Sequence, residues 1–245
     1  MFIGRTFVLI SSCGLLIAAT FSCVKVGSKT PISFQDRNIS FNYEPVKLAE
    51  AISVKVTADN SSGSGIIIQK TANIYTIVTN RHVIDRGDVY YIHTVDSSIH
   101  KGKIDTISEQ DDLAILKFTS DRIYPVAKIN PAPLKLYNSL FAAGFPYNSD
   151  RLEVTLGKLL LQTKKPLKQG YQLGYSNNIQ KGMSGGAIFN NLGEVVGVNG
   201  RSANPILPDY QYQDLSYPTK QLQQKMTQLS WGIPISKAME LINNL

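Results

Sequence analysis

Gly182-Met183-Ser184-Gly185-Gly186-Ala187-Ile188-Phe189 sets one hydroxyl in a run of glycines and follows it directly with apolar β-formers. Glycines serve where backbone turns sharply or approaches a ligand with no side chain in the way. A serine hydroxyl is a weak nucleophile until a base takes its proton and backbone N–H groups await the oxyanion that forms. A tight glycine turn supplies such donors, here the N–H groups of Gly182 and Ser184. Turns rich in Gly and Ser are common, so this stretch needs the rest of the chain to give it meaning.

Upstream, Ile74-Tyr75-Thr76-Ile77-Val78-Thr79-Asn80-Arg81-His82-Val83-Ile84 places a histidine at the end of a strongly β-prone run. Asp111-Asp112-Leu113-Ala114-Ile115-Leu116-Lys117 places an acid just before a buried-looking strand. The order His82, Asp112, Ser184 is that of the chymotrypsin class among the convergent versions of the triad. Thr79-Asn80-Arg81-His82-Val83, Asp112-Leu113-Ala114-Ile115-Leu116 and Gly182-Met183-Ser184-Gly185-Gly186 resemble the bacterial trypsin-like serine peptidases, including the peptidase domain of HtrA-type proteases. The resemblance spans roughly residues 50–200, and no appended PDZ domain is expected.

Between these motifs the chain reads as β. Ile52 to Val56 alternates apolar and polar residues with period two, and Ile66-Ile67-Ile68 follows the turn Asn60 to Gly65. Further runs at Tyr75–Thr79, Val89–Val95, Lys101–Ile107 and Leu113–Phe118 complete a first set. Ile129-Asn130-Pro131-Ala132-Pro133 marks a boundary, and a second set follows at Ser139–Pro146, Arg151–Leu161, Tyr171–Tyr175, Gly186–Phe189 and Glu194–Val198. Many short strands separated by turn signals predict an all-β barrel or sandwich. The resemblance makes this two six-stranded antiparallel β-barrels, residues 45–128 and 134–235, with a site in the cleft between them. Ser202–Ser230 reads as a long polar loop beside that cleft, with a short helix at Lys220–Gln228. Ser236 is expected to cap a C-terminal helix over 236–245.

The resemblance implies that Ser184 attacks the scissile carbonyl, His82 carries the proton, and Asp112 holds the imidazole in its working tautomer. Asp112 is chosen over Asp111 because it directly precedes Leu-Ala-Ile-Leu; His93 and His100 read as plain surface or turn residues. Asn178, Ile179, Asn199, Gly200 and Arg201 are expected to line the pocket for the side chain preceding the cut. No acid stands where a trypsin-like pocket would have one, and an inward Arg201 would pair with an acidic side chain. The chain lacks the Ile-Val-Gly-Gly start of zymogen-activated trypsins. The G-x-S-x-G elbow of α/β-hydrolases is excluded, because its histidine follows the serine and all three histidines here precede Ser184. Neither a cysteine set nor H-E-x-x-H is present beyond residue 23, so no metal and no cofactor is expected. The alternative is a catalytically silent member of the same fold, acting as a binding module.

The chain has 245 residues, 43% of them hydrophobic, enough for a substantial core. Residues 1–23 read as a secretory signal peptide: Arg5 opens it, and Thr6–Thr20 is largely apolar but interrupted by Ser11, Ser12 and Gly14. Cys23 loosely resembles a lipoprotein processing site, with cleavage after Ala19 as the competitor, so a membrane tether through the N-terminus is the alternative to free secretion. Residues 24–44 are polar and read as a linker. Both cysteines, Cys13 and Cys23, fall in the signal segment, so the mature domain holds together without disulfides. The net charge of +7 comes from scattered lysines and arginines without aromatic interleaving, which argues against nucleic acid. The resemblance implies protein or peptide substrates as partners, and the signal segment a place in the periplasm or outside the cell.

Overall fold

A computed structural model describes residues 44–58, 61–85 and 89–243. The expected signal peptide and all but the last residue of the expected linker lie outside them. Helix α1 (Glu44–Ile52) runs directly into the first barrel. Its strands are β1 (Ser53–Ala58), β2 (Ser61–Thr71), β3 (Ile74–Thr79), β4 (Tyr90–His93), β5 (Ile99–Ile107) and β6 (Ala114–Thr119), with the single-turn helix α2 (Arg81–Ile84) after β3. They close in the order β1-β2-β3-β6-β5-β4.

The second barrel holds β7 (Ser139–Gly144), β8 (Glu153–Gln162), β9 (Leu173–Tyr175), β10 (Ala187–Phe189), β11 (Val195–Arg201) and β12 (Ser230–Pro234), closing as β10-β11-β12-β9-β8-β7. Helix α3 (Lys220–Thr227) precedes β12, and α4 (Ile235–Asn243) ends the described chain. Every strand pair is antiparallel. The fold is therefore the expected all-β pair of six-stranded barrels with a C-terminal helix.

Strand β3 shows why the β signal near His82 was so strong. Its partners are set by Ile77 opposite both Ile67 and Leu116. Tyr75 and Ile77 point into the first barrel with Val54, Val56, Leu116 and Phe118. Val78 points the other way, into a cluster shared with the second barrel that includes Ile66, Ile115, Ala143, Ala187, Val198 and Trp231. Both faces are buried, so the strand reads as a nearly continuous apolar run. At about 25 cal/mol per Å² of apolar surface, this shared cluster holds the barrels together with no covalent staple.

One expectation is corrected here. Ser236 does not cap the C-terminal helix but lies within it, because β12 runs straight into α4 at Ile235 with no intervening turn. Where the expected loop ends, Ser230–Pro234 forms β12, which carries the buried Trp231. Among the described residues no helix is long and apolar enough to cross a membrane.

Candidate active site

His82 sits on α2, immediately after β3. That single turn lets the imidazole turn back over the barrel end, where Asp112 waits just before β6. The Nδ1 of His82 lies 2.6 Å from Oδ2 of Asp112, and the His82 backbone N–H donates to Oδ1 at 2.9 Å. Asp112 is only 3% exposed, so its carboxylate depends on these donors in place of water. A third donor, the Tyr171 hydroxyl, bonds to Oδ2. Asn80 steadies the same segment by donating to the Asp112 carbonyl at 2.7 Å. Asp111 faces elsewhere, accepting from Gln213 at 3.1 Å.

Ser184 comes from the second barrel and lines one cavity of about 280 Å³ together with His82, Tyr147, Lys181 and Gly182. Its hydroxyl donates to the carbonyl of Gly200 at 2.9 Å. Rotation about one side-chain bond separates that position from others around the Cα–Cβ axis. The glycines around it are obligatory: Gly182 and Gly185 have φ of +96° and +84°, and a Cβ on Gly182 would run into the backbone of Phe145–Tyr147.

The turn's N–H groups divide into two sets. Met183 donates to Gln180, Gly185 to Asn199 and Gly186 to Met183. Among the described residues, neither Gly182 nor Ser184 donates its N–H to a protein acceptor. The Lys181 carbonyl accepts from the Tyr147 N–H at 2.8 Å, and in a trans peptide the N–H points opposite its carbonyl, so the Gly182 N–H faces away from Tyr147. Ser64 on β2 braces the turn across the barrels. Its N–H donates to the Ser184 carbonyl at 2.8 Å, and its hydroxyl donates to the Gly182 carbonyl at 2.9 Å while accepting from Phe145 N–H. Nothing in local sequence points to Ser64, because its role depends on a partner 118 residues away.

Beside Ser184 opens a second cavity of about 410 Å³. Ile179, Gly200 and Arg201 are on its wall, as the sequence led one to expect, joined by Leu207, Asp209 and Trp231. Asn178 and Asn199 are not. Asn178 is exposed, its neighbours Asn177 and Ile179 pointing inward. Asn199 is wholly buried and acts as scaffold, its amide donating to the Ala143 carbonyl at 3.0 Å and its Oδ1 accepting from Tyr175. The Arg201 guanidinium stands 4.4 Å from the Tyr171 ring centroid and is held by Gln169 and the Asp209 carbonyl. The loop expected at 202–230 does border this cavity, presenting Ile206 and Leu207 almost fully exposed.

The other two histidines are structural rather than plain surface residues. His93 bonds to Thr57 at 2.9 Å, and His100 packs on Phe118 and bonds to Tyr124. Among the described residues no set of three His, Cys, Asp or Glu is placed to hold a metal ion.

Comparison with known proteins agrees with this architecture. Residues 63–198 match the model of the trypsin-like peptidase domain. The serine endoprotease DegS of Haemophilus influenzae is 28% identical over 157 residues, 60% of this chain and 44% of that one. A probable periplasmic serine endoprotease, DegP-like, of Pseudomonas savastanoi pv. phaseolicola is 31% identical over 192 residues, 76% of this chain and 35% of its own length. The chain thus spans less than half the length of these two relatives. The crystal structure of the serine endoprotease from Yersinia pestis superposes with a TM-score of 0.65 at 24% identity, covering 85% of this chain and 67% of that one, a likeness of fold. The chain belongs to the trypsin-like peptidase domain family.

Proposed function

We propose that the protein is an exported serine endopeptidase that cuts peptide bonds through His82, Asp112 and Ser184 by way of an acyl-enzyme. The observation that carries this reading is the 2.6 Å pairing of His82 Nδ1 with buried Asp112, beside a cavity that His82 and Ser184 line together. His82 takes the Ser184 proton as the oxygen attacks the carbonyl carbon, and returns it to the leaving amine. Asp112 stabilises the imidazolium between those events. The free N–H groups of Gly182 and Ser184 receive the oxyanion, a contribution of about 3–4 kcal/mol per donor in enzymes of this kind. Water then takes the amine's place and hydrolyses the ester, with His82 as its base.

Export is supported by the apolar N-terminal stretch and by relatives whose names place them in the periplasm. Proteins and peptides are the substrates those relatives' names imply. A fluorophosphonate probe tests the chemistry: the wild-type protein labels on Ser184, and Ser184→Ala does not label at all. A wild-type chain that fails to label across pH 6 to 9 (about the range where a neutral imidazole can act) sinks the reading in favour of a silent binding module.

A further inference from the structure

The acid that partners His82 belongs to the first barrel, yet the second barrel grips it. The segment leading into β9 crosses to Asp112 at two points: the Gln169 carbonyl accepts the Asp112 N–H at 2.8 Å, and the Tyr171 hydroxyl donates to Oδ2. Tyr171 is 1% exposed, and its ring lies where a Cβ on residue 200 would have to go, so Gly200 is the residue that makes room for it. On the ring face sits Arg201, whose guanidinium also donates to Gln169 at 2.6 Å and lines the larger cavity.

We propose that Tyr171 is a positioning residue, which fixes the Asp112 carboxylate through its hydroxyl and seats Arg201 on the pocket wall through its ring. The role rests on the peptidase reading above and extends it to a residue outside the three-residue relay. Burial first, and the Asp112 charge second, push the Tyr171 phenol well above its ordinary range. The proton therefore stays on Tyr171, which remains a donor wherever the protein is folded. By donating, it draws charge from the carboxylate that faces the imidazolium. Removing the hydroxyl leaves that carboxylate more basic, so protonated His82 gains stability and the free base appears only at higher pH.

The groups around this contact are few. Asp112 meets His82 and Tyr171, with Asp111 beside it in the chain and Arg201 beyond the ring. His82 has Arg81 and Asp85 on its own turn, and Lys181 and Tyr147 across the cavity. Tyr171→Phe alters none of these charges and keeps the ring, so a shift in His82 reports the lost hydroxyl.

Two measurements on the same preparations test it: imidazole titration of His82 by NMR, and the rate of fluorophosphonate labelling against pH. In Tyr171→Phe the His82 titration is expected to move to higher pH, and labelling on the acid side of its profile to slow roughly threefold to tenfold. In an Asp112→Asn background, the same Tyr171→Phe change is expected to move the titration no further, since the path through the carboxylate is gone. Gly200→Ala, which drives a methyl into the ring, is expected to shift His82 the same way as Tyr171→Phe. A His82 titration unmoved in Tyr171→Phe overturns the proposal, as does a shift that persists undiminished beside Asp112→Asn. Failure of the peptidase reading looks different: the wild-type protein never labels, while the NMR titration still responds to Tyr171→Phe.

Discussion

His82 and Asp112, both from the first barrel, are bonded to each other twice in the resting molecule, at 2.6 and 2.9 Å. Ser184, from the second barrel, gives its hydroxyl to Gly200, a carbonyl of its own barrel, at 2.9 Å. The surroundings differ in the same sense. Asp112 is sealed among Asn80, Gln169 and Tyr171, whereas the walls around Ser184 include a loop with Leu207 88% exposed. The contrast follows from what each half must do. A buried carboxylate has to be satisfied at all times, because an unmet charge in a low-dielectric interior is costly. A hydroxyl costs little in either of two bonds and moves between them by a rotamer change on the picosecond to nanosecond scale. On the proposed reading the His82–Asp112 half is preset, held by donors from both barrels, while Ser184 has to turn toward it.

Breaking the preset half should have the largest effect. Asp112→Asn keeps the shape but offers His82 Nδ1 an amide that can present N–H where an acceptor is needed, favouring the wrong tautomer. A fall in kcat of about 10⁴ is expected, with stability close to wild type. Single-turnover labelling against a thermal melt separates the two; a loss of less than tenfold would mean that Asp112 is scaffold only.

On the other side of the comparison, Gly182→Ala attacks the proposed oxyanion donor rather than the proposed nucleophile. Its φ of +96° is hostile to alanine, and the new methyl meets the Phe145–Tyr147 backbone, so the peptide bearing the Gly182 N–H must move. A drop of about 10²–10³ in kcat is expected with KM little changed. An equal loss in Ser64→Ala, which frees the Gly182 carbonyl, would show that the brace from β2 matters as much as the glycine.

What the sequence made legible tracks how local each pattern is. His82, Asp112 and Ser184 each end or begin a short apolar run, so their motifs can be read within about ten residues. Strand β12 was not legible, because Ser230–Pro234 is short, carries Gly232 and Pro234, and is buried on both faces with no alternation to betray it. The long loop was readable as polar chain beside the cleft, but not which of its residues, Pro205, Leu207 and Asp209 among them, meet the pocket. Tyr171 and Ser64 were invisible for a different reason. Each acts on a group in the opposite barrel, 59 and 118 residues away, and an isolated tyrosine before a strand or a serine between two glycines carries no mark of that. Asn199 misled because its place in the chain is right for the pocket, while the strand's alternation turns its side chain inward.

The smallest effect expected concerns the strap that joins the halves. The connection from β6 to β7 is tied to the second barrel at Glu194, whose carboxylate meets Lys128 at 2.7 Å, Asn130 at 2.6 Å and Asn190 at 2.8 Å. Backbone bonds reinforce it, Val195 N–H to the Lys128 carbonyl and Asn130 N–H to the Val195 carbonyl. Lys128 first, then the two asparagine amides, hold the Glu194 carboxyl down at about 2 against an ordinary 4.5. A carboxyl whose folded value is depressed adds stability above its unfolded value and loses it as pH falls through the folded one. Glu194→Gln should therefore melt slightly below wild type at pH 7, with the gap closing between pH 4.5 and about 2, while fluorophosphonate labelling at neutral pH stays unchanged. Melting curves taken across that range decide it. A gap that persists undiminished at the acid end would mean that packing, not the charge, makes the strap, and a loss of labelling would mean that the preset half depends on the strap to meet its nucleophile.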